Sequence, residues 1–274
     1  MIYQILTNPT EAELTNRVHE NLYELFRAMH VLPGFESVET DKLCYHHAFP
    51  TNPMFKGAWR ARLAASEVDN AIDEAKAWFD QRKAPYFFWW VDPQTQPADM
   101  TQRLIERGFD GNLVGDPSMI ADLHTLNEDI RVPDGFSINR AIELKTLEQW
   151  RDVFAESFQA PADAGQAWVD ATMKGGQGQA PLKMYVGYLN EKPVATSILF
   201  NGAGVSGIYG VGTLPEARGQ GIGSAMTLKP LLDARNQGFN YAVLFSSRMG
   251  YPVYQRLGFR EVKSKIGILI LEND

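Results

Sequence analysis

One order of elements occurs twice in this chain: helix, buried strand, short helix closing in Gly-Phe, then another strand. It runs over 66–123 and again over 222–270. The short helices make the comparison concrete, as MTQRLIERGF (100–109) stands beside YPVYQRLGF (251–259). Residue identity is weak, but the shared order marks an internal repeat of supersecondary structure. It restricts the fold to α/β halves in which helices flank a sheet. A chain of 274 residues has room for two modest domains. The polar, turn-rich stretch NEDIRVPDG (127–135) is the best boundary, which predicts domains at 1–128 and 129–274.

Individual elements follow from patterning. Thr10 and Glu13 form a capping-box pattern ahead of an apolar stripe at Leu14, Val18, Leu22, Leu25, Phe26 and Met29, so an amphipathic helix is expected, ending near Pro33-Gly34. A second helix is expected from Ser66, with Asp69 as its acid three residues on and Val68, Ile72, Ala75 and Phe79 buried. YFFWWV (86–91) is too apolar for a half-exposed strand and reads as a buried one. A helix from about Pro97 to Arg107 follows.

In the second half, FSINRAI reads as a strand and Thr146 to Phe158 as a helix. KGGQGQAP (174–181) reads as a flexible loop, within a stretch from 159 to 181 taken as variable loop. MYVGYL and VATSILF form a hairpin around Asn190 to Pro193. Then come the strand VSGIYGVGTL, a helix from Ile222 to about Gln237, the buried strand YAVLFSS, a short helix, and a final strand pair ending in IGILIL. Pro230 falls inside the long helix, where proline costs about 3 kcal/mol. A kink or a shifted helix start is expected there.

Charge and composition exclude some partners. The net charge of −7 argues against nucleic acid, which needs a basic face. The start MIYQILTNPTEAELT lacks a basic segment followed by an apolar core, and no apolar run reaches the roughly 18 residues of a spanning helix. Cys44 is the single cysteine, so no disulfide closes within the chain. A cytoplasmic protein without a membrane partner is the expectation.

Between the strand ending near Leu214 and the next helix lies VGTLPEARGQGIG (211–223), with Gly212, Gly219, Gly221 and Gly223. A strand that delivers glycine-rich chain to a helix N-terminus offers close backbone approach, unpaired N–H groups and a partial positive charge, which suits phosphate oxygens. Arg218 adds a formal charge, and the reading is a pyrophosphate cradle. An ATP-type loop would need Gly-Lys-Ser/Thr, and no Lys follows Gly223. The dinucleotide fingerprint G-x-G-x-x-G fails on Ser224, Ala225 and Met226, and the following strand ends in serines rather than an acid.

Arg218-Gly219-Gln220-Gly221-Ile222-Gly223 matches R-x-x-G-x-G, and so resembles the acyl-CoA motif of the GCN5-related N-acetyltransferases. Tyr254-Gln255-Arg256-Leu257-Gly258-Phe259 resembles that family's Y-x-x-x-G-F helix. The two motifs lie about 30 residues apart with helix, strand and helix between them in the family's order, and the resemblance covers about 134–270. It implies two tandem folds of that family, each a twisted mixed β-sheet flanked by α-helices, with the working acetyl-CoA site in the second.

By this resemblance the pantetheine arm lies between two parallel strands that splay apart, the first carrying a bulge. Gly210 and Gly212 suit that bulge. Backbone groups of Val211 and Thr213 would hold the pantetheine amides, and amides from Arg218 through Gly219, Gln220, Gly221 and Ile222 to Gly223 the pyrophosphate, with Ser224 helping. Ser246 and Ser247 would contact the arm. Tyr254 would be the general acid that protonates CoA sulfur, and the Val211 N–H the oxyanion donor. The strand from Gly204 to Leu214 holds no Glu, Asp or His, and none of Glu216, Glu156 or Asp163 is assigned as base.

The first half lacks the cradle: Ala64 and Ala65 stand where the glycines would be, and Met100 where the tyrosine-bearing helix starts. It reads as a degenerate copy with a structural or acceptor-pocket role. Its histidines, His19, His30, His46, His47 and His124, include His46 and His47 as residues that could reach the acceptor site. Cys44 and His46 lack further ligands at metal spacing, so no metal is expected. Ser246-Ser247 lacks the G-x-S-x-G setting of a hydrolase. The expected activity is direct acetyl transfer from acetyl-CoA to an amine, a small molecule ahead of a protein. A non-catalytic acyl-CoA-binding module and a ligand-free scaffold are the alternatives.

Overall fold

The computed structural model describes residues 4–32, 34–48, 55–111, 116–174 and 182–272. Along the chain run α1 (Glu11–Ala28), β1 (Glu36–Glu39), β2 (Cys44–His47), β3 (Lys56–Trp59), α2 (Val68–Gln81), β4 (Tyr86–Val91) and α3 (Met100–Glu106). Then follow β5 (Pro117–Asp122), β6 (Phe136–Arg140), α4 (Leu144–Phe158), α5 (Ala162–Lys174), β7 (Leu182–Leu189) and β8 (Lys192–Gly202). The last stretch holds β9 (Val205–Thr213), α6 (Ile222–Arg235), β10 (Tyr241–Phe245), α7 (Tyr251–Leu257), β11 (Arg260–Lys265) and β12 (Gly267–Glu272). The class is α/β, with two mixed sheets.

The chain forms two compact units, and they do not follow a cut at 128/129. The larger comprises Met1–Val31 with Ser118–Lys263, the smaller Leu32–Pro117 with Ser264–Asp274. The larger unit carries a seven-stranded sheet in the order β11-β5-β10-β9-β8-β7-β6, and the smaller a five-stranded sheet in the order β1-β2-β3-β4-β12. The reason for the departure is an exchange of strands. β5, the last strand of the first repeat, lies antiparallel to β10 in the larger unit's sheet. β12, the last strand of the second repeat, lies antiparallel to β4 in the smaller unit's sheet. The expected final strand pair therefore does not form, because β11 and β12 enter different sheets.

Burial explains the exchange. Met119 and Ala121 of β5 join the core under α6, while Ile120 on the opposite face joins Leu14 and Val18 of α1 with Val205, Val243 and Val262. A strand buried on both faces must be apolar at consecutive positions, as Met119-Ile120-Ala121 is. Met119 and Ile120, removed from water, each contribute roughly 1.5–3 kcal/mol. Leu269 and Leu271 of β12 do the same in the core of the smaller unit.

Most local readings match. Thr10 and Glu13 cap α1 reciprocally, and its predicted stripe is buried. The β7/β8 hairpin turns through Asn190 and Glu191, both with positive φ (50° and 68°), the geometry that matches strand twist. α6 runs through Pro230 with its start unshifted at Ile222. Other readings need correction. α2 starts at Val68 without a side-chain cap on its first turn, and Glu67 rather than Asp69 reaches back, accepting the Ala64 N–H at 2.9 Å. α3 begins at Met100, three residues after Pro97. The stretch from 159 to 181, expected as variable loop, contains α5, whose Gly165 admits close packing: a Cβ there would meet Arg151 Cγ at 2.9 Å. Of the predicted loop KGGQGQAP, residues 175–181 lie outside the described residues.

A chain cut to residues 129–274 would lose β5 from between β10 and β11, and α1 from one face of the sheet. Calorimetry should find no cooperative unfolding transition in it, against a sharp one in the whole chain; a cooperative transition in the shortened chain would show that the exchanged strand is dispensable.

Candidate active site

The site of the larger unit begins with a strand pair that stops pairing. β9 and β10 run parallel through Ser206↔Ala242 and Gly207↔Val243, and beyond those rungs no further pair forms. A β-bulge lies on β9 just past this point. Tyr209 pairs with Ile198 and Gly212 with Thr196, so Gly210 and Val211 together oppose Ser197. Gly210 has φ 55°, the left-handed conformation a bulge of this type needs, and its carbonyl accepts the Thr196 hydroxyl at 2.9 Å. The bulge expected at Gly210 and Gly212 thus falls on Gly210 and Val211. Gly212 is glycine for packing: a Cβ there would sit 2.2 Å from Ser157 Oγ of α4.

After β9 the chain turns through Pro215–Ala217 and enters α6 from Gly221, which has φ 80°. Among the described residues, the amides from Gly219 to Ser224 donate to no protein acceptor, and no side chain caps α6. Free amides at the positive end of a 14-residue helix form an anion site. The glycines differ in purpose. Gly221 is required by the fold, since a Cβ would meet the Arg131 carbonyl at 2.0 Å. Gly223 has neither a left-handed φ nor a near neighbour, its nearest atom being Thr213 Oγ1 at 3.9 Å. Turn geometry does not explain it; free space beside the amides does. Arg218 is fixed across the mouth, with Nε donating to the Thr213 carbonyl at 2.9 Å and a terminal nitrogen to that of Ser157 at 3.5 Å.

The facing wall is α7 and the turn before it. Ser247 Oγ accepts the Gly250 N–H at 3.2 Å and anchors the turn. Tyr254 is buried, its ring edge-on to Phe259 at 5.9 Å, and its hydroxyl has no hydrogen-bond partner among the described residues. Burial alone pushes its phenol up to about 12, so the group stays protonated at neutral pH.

These walls enclose a cleft of about 500 Å³. Of the residues expected from sequence, Val211, Thr213, Arg218, Gly219, Gly221, Ile222, Gly223, Ser224, Ser247 and Tyr254 line it together. Two do not. The Gln220 side chain points outward, its Nε2 donating to the Glu216 carbonyl at 3.4 Å, while its backbone N–H stays among the unpaired amides. Ser246 is fully buried and donates to the Ser247 carbonyl at 2.9 Å. The sequence reading missed Ser157 and Phe158 at the end of α4, and Met249, Val253 and Arg256 on the facing wall. Phe158 ends a ladder of rings, tilted on Phe154, which stacks on Trp150, with 4.8 Å at each step, so its i, i+4, i+8 spacing reads as core. The lining contains no carboxylate and no imidazole.

The smaller unit has the corresponding strand pair but fills the space itself. β3 and β4 run parallel through Gly57↔Phe88 and Ala58↔Trp89, and the chain beyond them is stitched together again. Arg62 bridges to Gln96, the Gln96 N–H donates to the Ala61 carbonyl at 3.1 Å, and the Leu63 N–H donates to the Gln96 carbonyl at 3.2 Å. Arg62 also pairs with the buried Asp92 at 3.0 Å. At the adjoining helix start, the Glu67 carboxylate already occupies the Ala64 amide. His46 is committed inside this unit, accepting the Trp59 indole N–H at 3.0 Å and stacking on Phe35. Burial, with Lys56 adding to it, lowers the pKa of His47. Among the described residues no group of three or more His, Cys, Asp or Glu could hold a metal, and no helix is long and apolar enough to cross a membrane.

Comparison with known proteins agrees with this geometry. Residues 139–262 match the family described as Acetyltransferase (GNAT) domain. A 70-residue stretch is 36% identical to a mycothiol acetyltransferase of Saccharomonospora viridis, spanning 24% of this chain and 23% of that relative. A GCN5-related N-acetyltransferase from Kribbella flavida shares the fold at a TM-score of 0.71 and 18% identity, covering 95% of this chain and 96% of its own. A tandem GNAT protein from the clavulanic acid biosynthesis pathway does so at 0.61 and 11%, covering 93% and 95%. Residues 139–262 of the chain thus match the acetyltransferase (GNAT) domain family, and the whole chain shares the fold of solved GCN5-related N-acetyltransferases.

Proposed function

We propose that the larger unit binds acetyl-CoA along the cleft and transfers its acetyl group directly to an amine, a small molecule rather than a protein. The observation that carries this reading is the row of unpaired amides at Gly219 to Ser224 beside the open space at Gly223, in a cleft between parted parallel strands. The cradle would take the pyrophosphate, with Arg218 adding charge, and β9 past its last paired rung would offer free backbone groups at Val211 and Thr213 to the pantetheine amides. The amine nitrogen attacks the thioester carbon, the carbonyl becomes an oxyanion facing the Val211 N–H, and the C–S bond breaks as the amide forms. The amine releases a proton to solvent and the CoA thiolate gains one.

Tyr254 faces the departing sulfur in this reading. With a phenol near 12 and a thiol near 8.5, complete proton transfer from Tyr254 would run uphill. Its role is a hydrogen bond to the developing thiolate, which is then protonated from water. The first unit-fold, stitched shut at Arg62 and Gln96, is assigned no ligand, so each chain would hold one acetyl-CoA. A cleft lining without carboxylate or imidazole favours a second reading, an acyl-CoA-binding module without turnover. Amine-dependent release of free CoA thiol separates the two.

Calorimetric titration of acetyl-CoA should give micromolar binding, about −8 kcal/mol, at one molecule per chain. Gly223→Asp should weaken it at least roughly tenfold, about 1.4 kcal/mol, without lowering the melting temperature, because the new side chain meets open space. Binding unaffected by that carboxylate would remove the cradle from the mechanism. Tyr254→Phe should lower turnover roughly tenfold or more while acetyl-CoA affinity stays within about twofold; equal turnover would exclude the tyrosine. The raised folded pKa of Tyr254 contributes stability below about pH 10 that is lost as pH rises through about 12. The stability of Tyr254→Phe should accordingly fall less steeply over that window than that of the unaltered chain, and parallel curves would refute the shift.

A further inference from the structure

The bulge at Gly210 and Val211 is supported from two sides. On β8, the Thr196 hydroxyl donates to the Gly210 carbonyl. The other support comes from α1, nearly two hundred residues away in sequence. Asn21 is fully buried, and its Oδ1 accepts the Tyr209 hydroxyl at 2.7 Å, on the residue directly before the bulge. Its Nδ2 donates to the Gly202 carbonyl at 2.9 Å, at the far end of the β8/β9 hairpin. The sheet leaves room for this group: a Cβ on Gly207, the last β9 residue paired with β10, would lie 2.1 Å from Asn21 Oδ1. A buried amide bonded at both ends, seated over the rung where the strands part, holds the backbone on which Val211 is presented.

We infer that Asn21 is a positioning residue for the acetyl carbonyl, acting through Tyr209 to fix the direction of the Val211 N–H. The inference rests on the acetyl-CoA reading above. Tyr209→Phe removes one hydroxyl and leaves the ring in place. Glu24→Gln is its comparison, because Glu24 ties the same helix to the hairpin tip, accepting the Ala203 N–H at 2.7 Å, yet touches nothing near the bulge.

The readout is the infrared carbonyl band of acetyl-CoA labelled with carbon-13 at the thioester carbon, which a hydrogen bond from Val211 shifts to lower wavenumber on binding. In Tyr209→Phe the downshift should fall by roughly half or more while acetyl-CoA affinity stays within about twofold. Glu24→Gln should keep the full downshift. Asn21→Ala, where it folds, should match Tyr209→Phe, and the double variant should be no worse than either. An undiminished downshift in Tyr209→Phe would overturn the inference, as would equal losses in Glu24→Gln. So would a collapse of acetyl-CoA affinity in Tyr209→Phe, which would make the contact one of binding or folding. Failure of the unaltered protein to bind acetyl-CoA would instead sink the functional reading itself.

Discussion

β9 and β10 run side by side as parallel strands for two registered pairs and then part. Each parallel strand carries backbone donors and acceptors that its neighbour would ordinarily satisfy, so parting leaves both edges unpaired inside the protein. The bulge then adds a residue to β9 and turns its backbone away from the ladder. The Gly-rich turn ends in a helix whose first amides are equally unpaired. Three sets of unsatisfied groups thus converge on one cleft. That concentration of polar backbone is what a long, jointed ligand with amides and a pyrophosphate could satisfy.

The smaller unit shows the same arrangement with the groups already satisfied. Its parallel strands separate over the corresponding stretch, and the chain's own Arg62, Asp92 and Gln96 close the gap. A carboxylate from Glu67 takes an amide where the larger unit leaves amides open. The comparison within one molecule isolates what makes a binding cleft: the fold is not sufficient, and a few local residues decide whether backbone groups face a ligand or their own chain.

Much of this was legible from residues. The capping box of α1, the buried stripe of Val68, Ile72, Ala75 and Phe79, and the glycine cluster ahead of α6 are local patterns, and local patterns survive folding. What stayed hidden depends on partners distant in sequence. Nothing in SMIA or GILIL says which sheet receives each strand, because two equivalent edges were available. Asn21 lies on a helix read for its apolar stripe, and its partners are 179 to 188 residues away. Phe158 keeps helical spacing with Trp150 and Phe154, so periodicity places it in the core although nearly half of it is exposed on the cleft. At Gln220 and Ser246 the motif marks the positions but not the side chains, each of which turns to nearby backbone; the Gln220 backbone N–H stays in the open row.

The exchange of β5 and β12 also sets a schedule for synthesis. β4 leaves the ribosome with an open edge that β12 fills some 176 residues later. At typical translation rates of 5–20 residues per second, that edge waits on the order of ten to thirty seconds. β5, apolar on both faces, waits similarly for β10. An unpaired apolar strand edge held open for so long is the kind of surface that recruits other chains. The edge of β4 therefore has to stay unoccupied, sheltered by a chaperone or by low local concentration, until the six-residue β12 arrives and completes the smaller unit's sheet.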